Sequence, residues 1–168
     1  MAKEKATATK VTAKPKAAAA TKPPAHPVIP HLVCDGAAKA IEFYKKAFGA
    51  VEAMRLEGRD GFIMHACVMI EGAPIFLVDQ NLEYGAPGPK ALKGSPVFIH
   101  LNVPDADAVA ARATKAGAKI TMPVTEMFWG DRYGQLEDPF GHRWSVATPV
   151  KAMTPDEIKA AMRKAMPA

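Results

Sequence analysis

The stretch HLVCDGAAKAIEFYKKAFGA, residues 31–50, contains two elements in succession. Val28–Cys34 is aliphatic and predicts a strand. Asp35-Gly36 marks a helix entry. Beyond it Ala38, Ile41, Tyr44 (with Phe43 beside it) and Phe48 fall at helical spacing, and Gly49 stands where a helix C-cap belongs. Downstream, Ala50–Glu57, Ile63–Ile70 and Pro74–Asp79 predict three further strands. Turn segments separate them at Gly58-Arg59-Asp60-Gly61 and Glu71-Gly72. The unit is therefore β, α, then three strands.

The same order recurs after a Gly- and Pro-rich loop at 81–95. Val97–Val103 predicts a strand. Asp105–Ala116 predicts a helix with Asp105 or Asp107 near its cap and Gly117 closing it. Ile120–Val124, Met127–Leu136 and His142–Thr148 predict strands, the last two joined by Asp138-Pro139-Phe140-Gly141. His31-Leu32 matches His100-Leu101, and Phe48-Gly49-Ala50 matches Ala116-Gly117-Ala118. An ordered repeat of elements is more diagnostic than these few identities. At the C-terminus, Thr154-Pro155-Asp156-Glu157 is a capping box with proline at the first helical position. Ile158, Ala161, Met162, Ala165 and Met166 follow as an apolar stripe suited to packing on the domain or on a partner subunit.

The chain has 168 residues, enough for one domain with a real core. Its net charge of +5 resides in the first 25 residues, which hold six lysines against the single acid Glu4. The remainder is balanced, which argues against a basic nucleic-acid module. The 1–26 tail is Ala, Lys, Thr and Pro, and too poor in apolar side chains to offset its chain entropy. It reads as a disordered solvating extension, with salt-sensitive contact to nucleic acid or an anionic surface as the alternative. It lacks the apolar centre of a secretion signal, and no apolar run has membrane-spanning length. Cys34 and Cys67 lack metal or redox spacing and read as buried reduced thiols of a cytoplasmic protein.

HLVCDGAAKAIEFYKKAFGA, GFIMHACVMIEG (61–72) and GDRYGQLEDPFGHRWSVATP (130–149) resemble the PhnB-like branch of the vicinal oxygen chelate superfamily, which includes glyoxalases, bleomycin-resistance proteins and extradiol dioxygenases. The resemblance covers about residues 28–150, and strand–DPFG–strand is its most specific part. It implies an α+β fold of paired βαβββ units, halves 27–80 and 96–150, forming a cupped mixed sheet with helices on the convex face. It also implies a homodimer, and residues 151–168 would stand apart as a C-terminal helix. The scaffold hosts isomerases, dioxygenases, thiol transferases and binding proteins, so fold alone leaves the function open.

Metal-dependent relatives place His or Glu on the first and last strand of each half. Counted from the motifs, those positions fall on Ile29, Phe76, Phe98 and Ser145, none a good ligand, so no cofactor is expected. His31 and His100 lie two residues beyond Ile29 and Phe98 and therefore share their faces. As a pseudo-symmetric pair facing the cup they can bind a divalent metal, act as acid and base, contact a ligand, or be structural. Phe98, His100 and Asn102 form the polar, cup-facing side of their strand. His65 and His142 read as structural. Arg143 shares the face of Ser145 and either meets an anionic ligand or stays exposed or ion-paired. Asp131-Arg132 is either an ion pair or a polar handle at the cup mouth. Phe128, Trp129 and Tyr133 make a stacking wall or an aromatic core, and Gly130 and Gly134 permit a bulge between them.

These observations favour a protein that binds a small hydrophobic or aromatic molecule in the cup. A lyase- or isomerase-like enzyme using His31 and His100 is the first alternative, and tail-mediated binding to an anionic partner is the second.

Overall fold

The computed structural model describes His26 and residues 28–166; the tail and its proposed role lie outside the described residues. The first half contains β1 (His31–Cys34), α1 (Ala37–Phe48), β2 (Val51–Glu57), β3 (Ile63–Ile70) and β4 (Ala73–Asp79). The second contains β5 (Phe98–Asn102), α2 (Ala106–Ala116), β6 (Lys119–Glu126), β7 (Asp131–Glu137) and β8 (Arg143–Pro149). A last helix, α3 (Pro155–Ala165), follows. Each half forms one four-stranded mixed sheet, in the orders β1-β4-β3-β2 and β5-β8-β7-β6. In each, the first strand lies parallel to the last and the other pairs are antiparallel.

Helix α1 ends as its sequence predicts: Gly49 adopts φ 68°, and its N–H donates to the Tyr44 carbonyl. Its start differs. Gly36 is the N-cap and offers no side chain, so the carboxylate of Asp79, at the end of β4, accepts from Ala37 N at 2.5 Å and from Ile63 N at 2.7 Å. A residue remote in sequence thus caps the helix and fixes it to the sheet. In α2 the cap is local: Asp105 accepts from Ala108 N at 2.9 Å. The strand expected at Met127–Leu136 begins only at Asp131, because residues 127–130 turn through Gly130 at φ 98°.

Helices α1 and α2 pack on each other, and each covers the inner face of its own sheet. Alternate strand residues, Ala66, Val68, Leu77, Leu136, Trp144 and Val146 among them, point inward to this helical layer and are buried. The halves join through the 138–141 turn. Asp138, 4% exposed, accepts from Tyr44 Oη of α1 at 2.7 Å and Trp144 Nε1 at 3.0 Å through one oxygen. Through the other it accepts from the backbone of Phe140 and His142, each at 2.9 Å. Phe48 packs on Trp144 with ring centroids 4.6 Å apart, so the first half's helix reaches the second half's sheet.

The halves meet through α1 and α2, and the outer face of each sheet carries exposed side chains. Of the two packings expected for α3, the one on the domain is not seen. Its capping box forms as predicted, with Glu157 N donating to Thr154 Oγ1 at 3.3 Å and Thr154 N to Glu157 Oε2 at 2.7 Å. Yet none of its residues is buried; Met162 remains 44% exposed, and α3 does not pack on the domain. Ending the chain after Met153 is therefore expected to change stability by no more than about 0.5 kcal/mol, as measured by urea unfolding.

Candidate functional site

The two outer faces differ in chemistry. On the first sheet, strand register places His31 beside Phe76, Phe76 beside Cys67, and Cys67 beside Met54; Leu56 pairs with His65 and Val51 with Met69. This wall is apolar and open: Val51, Met54 and Leu56 are 66%, 46% and 51% exposed. Cys67 lies half-buried on it, contrary to the expectation of two buried thiols, while Cys34 is fully buried. Burial pushes both thiols up.

The second sheet presents polar groups. Phe98 pairs with Arg143 and Arg143 with Glu137; His100 pairs with Ser145 and Ser145 with Gln135; Asn102 and Tyr133 flank Ala147. The imidazole of His100 bridges Ser145 Oγ at 2.8 Å through Nδ1 and Asn102 Oδ1 at 3.1 Å through Nε2. As an amide oxygen can only accept, Nε2 is the donor in the bond to Asn102. Gln135 donates to Tyr133 Oη at 3.0 Å. Three aromatic rings cluster at this face's edge: Phe128–Trp129 and Trp129–Tyr133 ring centroids lie 4.9 and 5.6 Å apart, and Trp129 Nε1 donates to Asp131 Oδ2.

Several residues sit elsewhere than expected. Arg132 points to the helix side and makes a bidentate pair with Asp107 of α2, at 2.6 and 2.8 Å. It is neither the partner of Asp131 nor a handle at the site. His31 is not brought to His100; the two stand on separate sheets. The imidazole near His31 is His65, with centroids 5.7 Å apart and Phe76 packed against both. Partial burial, and secondarily His65, hold the His31 imidazole below its ordinary value. His65 is thus part of the apolar wall. His142 is buried, its Nε2 3.7 Å from Cys34 Sγ.

Register also bears on the ligand positions. The first-strand residues beside Phe76 and Ser145 are His31 and His100, not Ile29 and Phe98. The four positions then hold two imidazoles, a phenyl ring and a hydroxyl already bonded to His100. This set offers only two nitrogen donors, one on each of two separate sheets, and does not fit the superfamily's metal. Among the described residues no three His, Cys, Asp or Glu side chains converge.

A separate cavity of about 280 Å³ lies where the linker crosses between the edge strands β1 and β5. Pro87, Pro89, Leu92 and Val97 form much of its lining, with His31 and His142 in its walls. Burial holds the His142 imidazole below its ordinary value, against the opposing effects of Asp138 and the Val33 backbone. The folded chain holds it neutral to a lower pH than the unfolded chain, in which it protonates near pH 6.5. Stability is therefore expected to fall as pH drops below about 6.5, and to fall less in His142→Phe, as read from urea midpoints between pH 8 and 5.

A repeated βαβββ unit with each helix on the face opposite an open sheet defines a glyoxalase-like domain. A family model for the glyoxalase/bleomycin resistance protein/dioxygenase superfamily matches residues 24–146, and the chain belongs to that superfamily. An uncharacterized protein of Mycobacterium bovis is 48% identical over 136 residues, which are 79% of this chain and 90% of that protein. The PhnB protein of Bacillus cereus shares the fold at 15% identity and a TM-score of 0.57, covering 72% of this chain and 98% of its own. So does TnmS3, an antibiotic binding protein from Streptomyces sp. CB03234, at 22% identity and a TM-score of 0.53, covering 71% and 91%. Among the described residues no helix is long and apolar enough to cross a membrane.

Proposed function

We propose that this chain binds a small hydrophobic or aromatic molecule on its outer sheet faces without the metal ligands usual in its superfamily. The observation that carries the reading is the pair of uncovered faces, one apolar around Phe76, Cys67 and Met54, the other polar around His100, Ser145 and Tyr133. Such a combination, mostly apolar area with a few placed polar groups, is what small-molecule sites use. The fold shared with an antibiotic binding protein supports it.

The binding form is a homodimer in which the apolar wall of one chain faces the polar wall of a second. Exposed Val51, Met54 and Leu56 support this, because a contiguous apolar patch on a sheet face favours a cover. A cytoplasmic location accords with the two unpaired cysteines. Cys67 supplies the test. Alkylation of native protein is expected to modify Cys67 slowly and Cys34 hardly at all, and a bound aromatic compound to shield Cys67 while raising the Tm. A screen in which no aromatic compound does either would sink the reading, and a one-chain mass by light scattering would sink the dimer.

Catalysis is the second reading, favoured by the Ser145–His100–Asn102 chain of hydrogen bonds. It requires turnover that disappears in His100→Ala with the fold retained.

A further inference from the structure

We infer that the molecule held at the polar wall carries an oxyanion and that the guanidinium of Arg143 receives it. This rests on the small-molecule reading above and names its ligand class: an organic carboxylate, sulfonate or phosphate on an aromatic or aliphatic body.

The argument begins with the arginines. The chain has six. Arg59, Arg112 and Arg163 are exposed in water. Arg55 and Arg132 are half-buried and held by carboxylates: Arg55 by Glu52 and Glu57, Arg132 by Asp107. Arg143 alone is half-buried without an ion pair among the described residues. A cation partly withdrawn from water gains nothing from that position unless something compensates it.

Partial compensation comes from Phe98, whose ring centroid lies 4.8 Å from the guanidinium carbon. Phe98 is the register partner of Arg143 on the neighbouring strand, so both belong to the outer face. The ring occupies one side of the guanidinium and restricts its rotation. The N–H donors lie in the plane of the group and make no ion pair among the described residues. A planar fork with free in-plane donors is suited to two parallel hydrogen bonds from one oxyanion.

The nearby acid does not fill this role. Glu137 pairs with Arg143 in register across β7 and β8, yet no bond within 4.0 Å joins them. Glu137 instead lines a small cavity with Lys90 and Lys93 of the linker. The exposed part of Phe98, 38% of the residue, offers an apolar surface next to the cation. An anionic group joined to an apolar body matches both.

Two naphthalene dyes that differ in charge test this: 8-anilinonaphthalene-1-sulfonate and the uncharged N-phenyl-1-naphthylamine, titrated by fluorescence against the full chain. The expected result is about ten-fold tighter binding of the sulfonate, with that preference removed in Arg143→Gln, partly kept in Arg143→Lys, and the neutral dye unchanged within about two-fold. Equal affinity for the two dyes, or a loss in Arg143→Gln that affects both alike, would overturn the oxyanion and leave the small-molecule reading standing. Binding of neither dye would overturn both. Matching Tm values for the three proteins establish that the comparison is between folded chains.

Discussion

Asp138→Ala is expected to destabilise the domain by about 3–5 kcal/mol, lowering the Tm by roughly 6–20 °C. The carboxylate is 4% exposed and accepts four hydrogen bonds, from Tyr44 Oη, Trp144 Nε1 and the backbone N–H groups of Phe140 and His142. Alanine removes every acceptor at once and leaves buried donors that water reaches poorly. Each such donor costs about 1–3 kcal/mol, and the sum is reduced by whatever relaxation admits solvent. Asp138→Asn is expected to be milder. Its oxygen can retain the two backbone bonds, but its amide then faces the Trp144 N–H, donor against donor. Tyr44→Phe, which removes one bond only, should cost about 1 kcal/mol. Thermal and urea unfolding of the three variants gives the ranking; an alanine variant as stable as the tyrosine variant would show that Asp138 does not join the halves.

Trp144→Ala is expected to cost about 3–5 kcal/mol by a different route. The side chain is 1% exposed and fills the space between α1 and the second sheet, with its ring 4.6 Å from Phe48 and 5.4 Å from Tyr44. Truncation leaves a cavity walled by two aromatic rings on a helix that is itself fixed by Asp79, so collapse is limited. It also unpairs one of the bonds to Asp138. The two substitutions are therefore expected to be non-additive: Asp138→Ala together with Trp144→Ala should cost less than the sum of the single changes, because the shared bond is lost once. Strict additivity in urea unfolding would indicate that the indole acts by packing alone.

Within the described chain, sequence patterning determined the elements and their repetition. Apolar spacing placed α1 at its observed limits, Thr154 and Gly49 marked helix ends, and the α2 cap was narrowed to Asp105 or Asp107, because caps and periodicity act over a few residues. Strand alternation placed His100, Asn102, Arg143 and Ser145 on one face, since side chains of a strand alternate whatever it packs against.

What joins distant strands was not legible. Counting along the chain set the four ligand positions at Ile29, Phe76, Phe98 and Ser145. The parallel register of β1 with β4 and β5 with β8 instead puts His31 and His100 beside Phe76 and Ser145. Likewise, Arg132 adjoins Asp131 in sequence but bonds Asp107, 25 residues away, because its strand turns that side toward α2. Asp79 caps α1 from 42 residues away, and Asp138 reaches Tyr44 across 94. Local sequence dictates which way a side chain faces; which group it then meets depends on sheet register and on how the helices bring the two halves together, and only the tertiary structure decided those.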